Sequence, residues 1–168
     1  GRRILKPVLP EIDVHALRDL RATIAAEREA GIKPDALRRL AALLPRDTRV
    51  AEDIAGRLRL SNKARKRLGC IAEPDSGKSP ETLAYRIGVQ CAADRFLLAG
   101  RAAEARAIAA WHAPRLPIGG GALIKRGLDE GPQVAKTLRE IEDRWVEQGF
   151  PVGDGFDRIV EQALEKTR

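Results

Sequence analysis

The chain has 168 residues, two cysteines and a formal net charge of +7, from 31 Lys and Arg against 24 Asp and Glu. A chain of this length buries about 70% of its unfolded surface without staples, and two cysteines are too few for a disulfide framework. No apolar run reaches the roughly 20 residues of a membrane span, and the N-terminal residues do not resemble a secretory signal. We therefore expect reduced thiols, a cytoplasmic location and no membrane partner. Since the chain starts at Gly1 and lacks methionine, we also expect it to be part of a longer protein.

The positive charge is concentrated in the first part of the chain. Residues 1–70 contain 17 basic and 9 acidic side chains, whereas residues 71–168 contain 14 and 15. Such asymmetry indicates a surface for a polyanion, of which nucleic acid is the commonest. A solvated face of an arginine-rich protein would give the same counts, so charge alone leaves both interpretations open.

Apolar residues recur at helical spacing through nearly the whole chain, and no segment of useful length alternates as a strand does. Typical N-cap residues precede several of these segments, namely Asp13, Asp47, Ser61 and Ser79. The predicted helices cover about 14–30, 34–44, 47–58, 61–71, 79–100, 101–111, a short segment ending at 127, 132–148 and 154–168. The sequence predicts an all-α fold of eight or nine helices in two lobes.

The clearest linker is the segment 73–80, which reads Glu-Pro-Asp-Ser-Gly-Lys-Ser-Pro. It predicts two domains, a basic helical region over 1–72, which is the candidate for nucleic-acid binding, and a helical C-terminal domain over 79–168. Residues 72–79 also fit the loosest form of a phosphate-binding loop. That loop requires a preceding strand and a helix that starts at its Lys-Ser pair. Here a basic helix precedes it and Pro80 follows, so we interpret the segment as a linker.

Catalytic and metal-binding signatures are absent from the sequence. His15 and His112 are far apart, and the two cysteines have no further ligand at metal-binding spacing. No serine or cysteine lies in a recognisable nucleophile motif with its base. We predict no catalytic residue and no metal ligand in this chain.

The segment 57–67 carries a cluster of basic residues that suits a nucleic-acid backbone. Lys63, Lys66 and Arg67 are three and four residues apart and share one side of the predicted helix, while its apolar residues form the buried side. Lys and Arg neutralise phosphates and release counterions. With three Phe and one Tyr in the chain, stacking of bases is not the expected mode. The predicted nucleic-acid-binding residues, which would contact RNA or DNA, are Arg57, Arg59, Lys63, Arg65, Lys66 and Arg67.

The glycine-rich stretch 117–132 raises the question of a phosphate-binding turn between two helices. Asp129 and Glu130 would repel a phosphate there, and Pro132 removes one backbone amide. The structural interpretation is stronger: Gly127 caps one helix and Pro132 starts the next.

An ordered series of residues resembles the C-terminal region of bacterial tRNA nucleotidyltransferases (CCA-adding enzymes) and poly(A) polymerases. Upstream, the segments 8–11, 37–45 and 58–63 resemble the RNA-binding helices of that family. Ala122 stands where the family usually has Asp. The downstream matches are Leu116, Pro117, Ile118, Gly120, Leu123, Ile124, Gly127, Gly131, Pro132, Val134, Leu138, Glu142, Trp145, Gly149 and Phe150.

The resemblance implies an RNA-positioning fragment without the catalytic head. In that family the head uses a divalent metal with ATP or CTP to add nucleotides to RNA 3′ ends, and its signatures are missing here. The fragment itself would hold no cofactor, and its expected partner is RNA, above all tRNA. Two alternatives stay open: a helical protein-interaction or oligomerisation domain, and a DNA-binding helical module. The pattern does not predict the oligomeric state.

Overall fold

A computed structural model describes residues 8–12, 14–73 and 77–167. All regular structure in these ranges is helical, so the predicted all-α class is confirmed. The helices are α1 (Ala16–Ala30), α2 (Ala36–Ala41), α3 (Thr48–Arg57), α4 (Asn62–Ala72), α5 (Pro80–Ile87), α6 (Val89–Leu98), α7 (Ala102–Ala109), α8 (Gly120–Lys125), α9 (Pro132–Glu147) and α10 (Asp154–Thr167). No helix of the described ranges is both long and apolar enough to cross a membrane.

The helix predicted over 79–100 is in fact two helices. Gly88 has φ 87° and ψ 146°, so it ends α5 and precedes the first residue of α6. A backbone with positive φ interrupts the helical hydrogen-bond ladder, and glycine adopts it without steric cost. This break explains why the described residues form ten helices where eight or nine are predicted.

Side-chain caps fix the starts of several helices. Asp47, Ser61 and Ser79 each accept a hydrogen bond from a backbone N–H group in the first turn of α3, α4 and α5, as predicted. Asp35 caps α2 in the same way, which the sequence analysis did not anticipate. The predicted cap Asp13 lies outside the described residues.

The chain divides into two compact units, Gly1–Trp111 with α1–α7 and His112–Arg168 with α8–α10. The structure therefore draws the division elsewhere than the predicted boundary between 72 and 79. Helices α5–α7 belong with α1–α4, because α6 packs on both α1 and α4 and α7 packs on α1. Residues 74–76 of the predicted linker lie outside the described part.

Unit 1 contains two apolar clusters. The first lies among α2, α3 and α4 and includes Ile54, Leu68 and Ile71, each at most 1% exposed. The second lies among α1, α5, α6 and α7 and is centred on Phe96 and Leu97. Because α6 contributes to both clusters, it connects the two halves of the unit.

Six charged side chains form an ion-pair network that joins four helices of unit 1. Asp94 of α6 is fully buried and accepts hydrogen bonds from Arg38 Nε and Arg67 Nε, both at 2.7 Å. Glu27 of α1, 1% exposed, binds Arg38 at 2.7 Å and Arg39 at 2.8 Å. Three carboxylates face three guanidinium groups, so the formal charges of the network cancel. Its members are Glu27, Asp35, Arg38, Arg39, Arg67 and Asp94.

The two cysteines form a disulfide between α4 and α6, with Cys70 and Cys91 Cα atoms 6.4 Å apart. The expectation of reduced thiols is therefore wrong for this structure. The cysteines are 21 positions apart in the sequence, and the packing of α4 on α6 brings them together. Beside them, Arg95 Nε donates a 2.7 Å hydrogen bond to the Cys70 carbonyl oxygen.

The core of unit 2 is built around Trp145 of α9. The indole is 2% exposed and meets Phe150 and Phe156 edge-on, at ring-centroid distances of 5.0 Å and 6.4 Å. Its Nε1 donates a 2.9 Å hydrogen bond to the Pro151 carbonyl oxygen. A buried tryptophan needs such an acceptor, and here the loop between α9 and α10 supplies it.

The glycine-rich stretch 117–132 is architectural, as predicted. Gly127 follows α8 with φ 95° and donates to Ile124 O, while Leu128 N–H donates to Leu123 O. These two bonds define a Schellman helix end. Pro132 occupies the first turn of α9.

Reduction of the disulfide is expected to lower the free energy of unfolding of unit 1 by about 3 kcal/mol, because a closed loop of this length restricts the unfolded chain. Urea unfolding with and without a dithiol reductant measures the change. A Cys70→Ala/Cys91→Ala variant is the control and should not respond to reductant. Two reactive thiols in the folded, unreduced protein would contradict the pairing.

The substitution Gly120→Ala is expected to destabilise unit 2 by about 1–3 kcal/mol through overpacking. A Cβ at residue 120 would lie 2.9 Å from Val134 Cγ1, and a β-branched side chain on a helix cannot rotate away. Gly121→Ala is the matched control: its Cβ meets no atom within 4 Å, so it should stabilise α8 by roughly 0.5–1 kcal/mol. Hydrogen exchange of the α9 amides measures both, and equal protection in the two variants would contradict the expected clash.

Candidate nucleic-acid interface

Helix α4 has one buried side and one charged side. Leu68 and Ile71 are at most 1% exposed and Ala64 is half-buried, which confirms the predicted apolar side. The Ser61 hydroxyl accepts from the Ala64 N–H and fixes the start of the helix. The other side faces solvent, so its basic residues are available to a partner.

Four cations of the predicted set are exposed and have no ion-pair or hydrogen-bond partner for their side chains within the described ranges. Arg59 lies in the turn between α3 and α4, and the other three lie on α4 itself. Helix α4 contains no acidic residue that could neutralise them. We call this set the cationic row: Arg59, Lys63, Arg65 and Lys66.

Arg65 extends the cationic row toward α3. A Cβ placed at Gly56 would lie 3.7 Å from Arg65 Nη2, so this guanidinium reaches the last turn of α3. Glu52 and Asp53, both exposed, add negative charge to α3 itself. The positive surface of α4 therefore continues to Arg59 in the turn before this helix. It does not continue along α3, where the exposed carboxylates lie.

Arg57 is exposed but already paired. Its Nη2 lies 2.7 Å and 2.8 Å from the two carboxylate oxygens of Glu11. The hydrogen bond from Arg57 lowers the pKa of Glu11 below its ordinary value. Because the pair is solvent-exposed, a phosphate could replace Glu11 at low cost. Arg57 thus borders the cationic row without being one of its free cations.

Arg67 takes a different place from the one that the sequence analysis gave it. Its Nε and Nη1 bind Asp94 and Asp35 at 2.7 Å and 2.9 Å, and the side chain is 16% exposed. At 3.6 residues per turn, residue 67 lies only about 70° from the middle of the buried side of α4, whereas Lys66 lies nearly opposite. Arg67 therefore belongs to the ion-pair network, and the cationic row excludes it.

Burial and pairing act in opposite directions on Asp35. Partial burial by itself raises the pKa of its carboxyl group, but hydrogen bonds from the Arg67 side chain and the Arg38 N–H, with the charges of both arginines, outweigh it. The pKa of Asp35 is therefore lowered. Asp35 also caps α2, so a single side chain connects the helix start to α4.

Other candidate sites lack the required geometry. The described ranges hold no group of three His, Cys, Asp or Glu side chains arranged for a metal ion. The phosphate-loop-like segment 72–79 follows helix α4 where that motif requires a strand, and Ser79 caps α5. In unit 2, an open cleft is lined by charges of both signs, from Arg126, Asp154, Asp157, Arg158 and Glu161. Its mixed charge favours no particular ligand.

The substitution Asp35→Asn is expected to lower the unfolding free energy at pH 7 by about 1.5–3 kcal/mol, since it keeps the N-cap but loses a charged hydrogen bond. Because the pKa of Asp35 is lower in the folded chain than in the unfolded chain, its charge stabilises the fold at pH values above the unfolded pKa near 3.9. This stabilisation disappears as the pH falls through the folded pKa. The difference between wild type and variant should thus shrink below about pH 4. Urea unfolding at several pH values measures it.

The matched control is Asp47→Asn, which alters an exposed N-cap whose carboxylate takes part in no ion pair in the described part of the chain. It should leave stability close to wild type. An Asp35→Asn effect that stays constant from pH 7 to pH 3 would contradict the assignment of the charge.

No protein-family model matches the chain, and no curated protein matches it at a significant level. The similarity to tRNA nucleotidyltransferases and poly(A) polymerases therefore stays a prediction from the residues alone.

Proposed function

We propose that the chain binds folded RNA, with tRNA as the substrate class, through the cationic row. The observation that carries this proposal is the set of four exposed cations, without a side-chain partner among the described residues, on one turn and one helix that has no acidic residue. Lys and Arg in such an arrangement contact successive phosphates and gain free energy from released counterions. Arg57 joins them when a phosphate replaces Glu11.

The charge of the two units supports a polyanionic partner for unit 1. Residues 1–111 carry 22 basic and 14 acidic side chains, a net of +8, while residues 112–168 carry 9 and 10, a net of −1. A positive field over the whole unit steers an anion toward it and raises the association rate. In the cationic row, four exposed cations of this excess lie close together without a counter-charge in the described ranges.

The position of the charges within α4 also favours binding. Lys63 and Arg65 lie in the first turn and Lys66 follows, close to the positive end of the helix dipole. Cations there destabilise a helix by about 0.3–1 kcal/mol each, and acidic residues would stabilise it. A cluster that opposes the local electrostatic preference is better explained by a bound anion than by helix stability.

Recognition would be directed at the RNA backbone and shape. The first 84 residues contain no Phe, Tyr or Trp, so the cationic row has no adjacent aromatic side chain from its own segment. Without stacking platforms, sequence readout of single-stranded bases is weak. Contacts to phosphates of a folded RNA remain, and these position a substrate without reading its sequence.

In the wider reaction this chain would position RNA while a catalytic head performs the chemistry. The resemblance implies a parent enzyme that adds nucleotides to RNA 3′ ends from ATP or CTP with a divalent metal. Correct placement of an RNA end contributes to rate by making the transfer effectively intramolecular. We place this activity in the cytoplasm, where tRNA is processed.

A protein-interaction module is the second candidate, and one observation favours it. Val14 and Leu17 at the start of α1 are 89% and 64% exposed, which is unusual for apolar side chains on neighbouring positions. Such a module would form a defined oligomer in sedimentation and would show no salt-sensitive affinity for RNA. A DNA-binding module would instead prefer duplex DNA over folded RNA.

Fluorescence anisotropy of a labelled tRNA across a salt series tests the proposal. Four phosphate contacts predict that log affinity falls with log salt at a slope of about −3. The double variant Lys63→Glu/Lys66→Glu should weaken binding about 100-fold at 0.1 M salt and flatten the slope by about 2, since it removes two phosphate contacts and adds repulsion. Its thermal stability should not fall, because glutamate is favourable near a helix N-terminus.

The control is Arg21→Glu/Lys33→Glu, which changes the net charge of unit 1 by the same amount at exposed positions outside the cationic row. It should retain most of the affinity and the full slope. Equal losses in the two double variants would show that total charge, and not the cationic row, binds the RNA. No salt-dependent binding by the wild type would refute the proposed function.

A further inference from the structure

Helix α3 ends in a Schellman motif with an arginine at the left-handed position. Arg59 has φ 51°, its N–H donates to Gly56 O at 3.0 Å, and the Leu60 N–H donates to Ala55 O at 2.9 Å. The half-buried Leu60 packs against the first apolar cluster and holds the turn in place. The residue between the helix and Leu60 must therefore adopt a left-handed backbone, which disfavours any residue with a Cβ.

Four other helices end with the same pair of hydrogen bonds and have glycine at this position. They are α1, α6, α8 and α9, and their φ angles lie between 67° and 95°. The four residues are Gly31, Gly100, Gly127 and Gly149. This protein thus uses glycine wherever the motif recurs in the described ranges, and α3 is the exception.

The second non-glycine residue with positive φ in the described part has an internal explanation. Phe150, at φ 63°, places its ring 5.0 Å from the ring of Trp145 in the core of unit 2. Arg59 has no comparable contact, because its side chain is exposed and forms no ion pair or hydrogen bond within the described residues. A strained backbone without an internal cause is a mark of a functional position.

We propose that Arg59 is an RNA-contacting residue, retained in place of glycine because its guanidinium continues the cationic row beyond the start of α4. This inference rests on the proposed function. It adds that the arginine at residue 59 lowers the stability of the fold and raises the affinity for RNA. The partner group is a phosphate of the RNA backbone, since a planar guanidinium donates two parallel hydrogen bonds to phosphate oxygens.

The test uses the variants Arg59→Gly and Arg59→Lys, each followed by thermal unfolding and by tRNA anisotropy across a salt series. Arg59→Gly relieves the left-handed strain and should raise Tm by about 3 °C. It also removes one phosphate contact, so Kd at 0.1 M salt should rise about fivefold and the salt slope should lose about 0.7–0.9 in magnitude. Arg59→Lys keeps both the Cβ and the charge, so Tm and slope should stay at the wild-type values. Arg21→Gln, which removes an exposed arginine of α1, is the control and should bind as wild type does.

The possible failures are distinguishable. If wild-type protein does not bind tRNA, the proposed function fails and this inference fails with it. If wild type binds but Arg59→Gly has the same Kd and slope, the inference alone is overturned. If Arg59→Gly is no more stable than wild type, no strain is stored at residue 59 and the argument from the helix end is overturned. Higher stability together with weaker, less salt-dependent binding supports the inference.

Discussion

The pairing of buried Asp94 with Arg38 and Arg67 is the constraint on which unit 1 depends. A carboxylate with no solvent exposure is tolerated only when its charge is matched and its oxygens are hydrogen-bonded. Here each oxygen of Asp94 receives one guanidinium N–H at 2.7 Å, one from α2 and one from α4. Removing either arginine would leave one oxygen of the buried carboxylate without its donor and the network with one excess negative charge, so the relative positions of α2, α4 and α6 are specified closely.

This constraint determines which side of α4 meets solvent. Arg67 holds the helix to Asp94 and Asp35, and the disulfide at Cys70 holds it to α6 less than one turn further on. With two fixed points on one side, the helix cannot rotate about its axis. Lys63 and Lys66 then face outward on a rigid support, which reduces the conformational entropy lost when a partner binds.

The proposed binding surface contains two departures from local preference. Lys63 and Arg65 oppose the dipole of α4, and Arg59 occupies a backbone conformation that the other Schellman ends of this chain assign to glycine. The acidic first turn of α10 and the glycine after α8 follow these preferences. Sequences that are locally consistent in most places tend to break the rules where they function.

Helix starts and ends could be read from the sequence, because they depend on neighbouring residues. Ser61 and Asp47 accept from N–H groups two or three positions away, and Gly127 needs only its own backbone freedom. The buried side of α4 and the exposure of Lys63 and Lys66 likewise followed from helical periodicity. All four residues of the cationic row belong to the predicted set, the three on α4 for the same reason.

The tertiary structure alone decided how these helices combine. Helical periodicity places Arg67 nearer than Lys66 to the buried side of α4, but its ion pair depends on the approach of Asp94, 27 positions away. The pairing of Cys70 with Cys91 and the inclusion of α5–α7 in unit 1 depend on the packing of α6 against α1 and α4. Local propensity acts over one or two helical turns, whereas burial and charge pairing depend on residues that are distant in the chain and meet only when it folds.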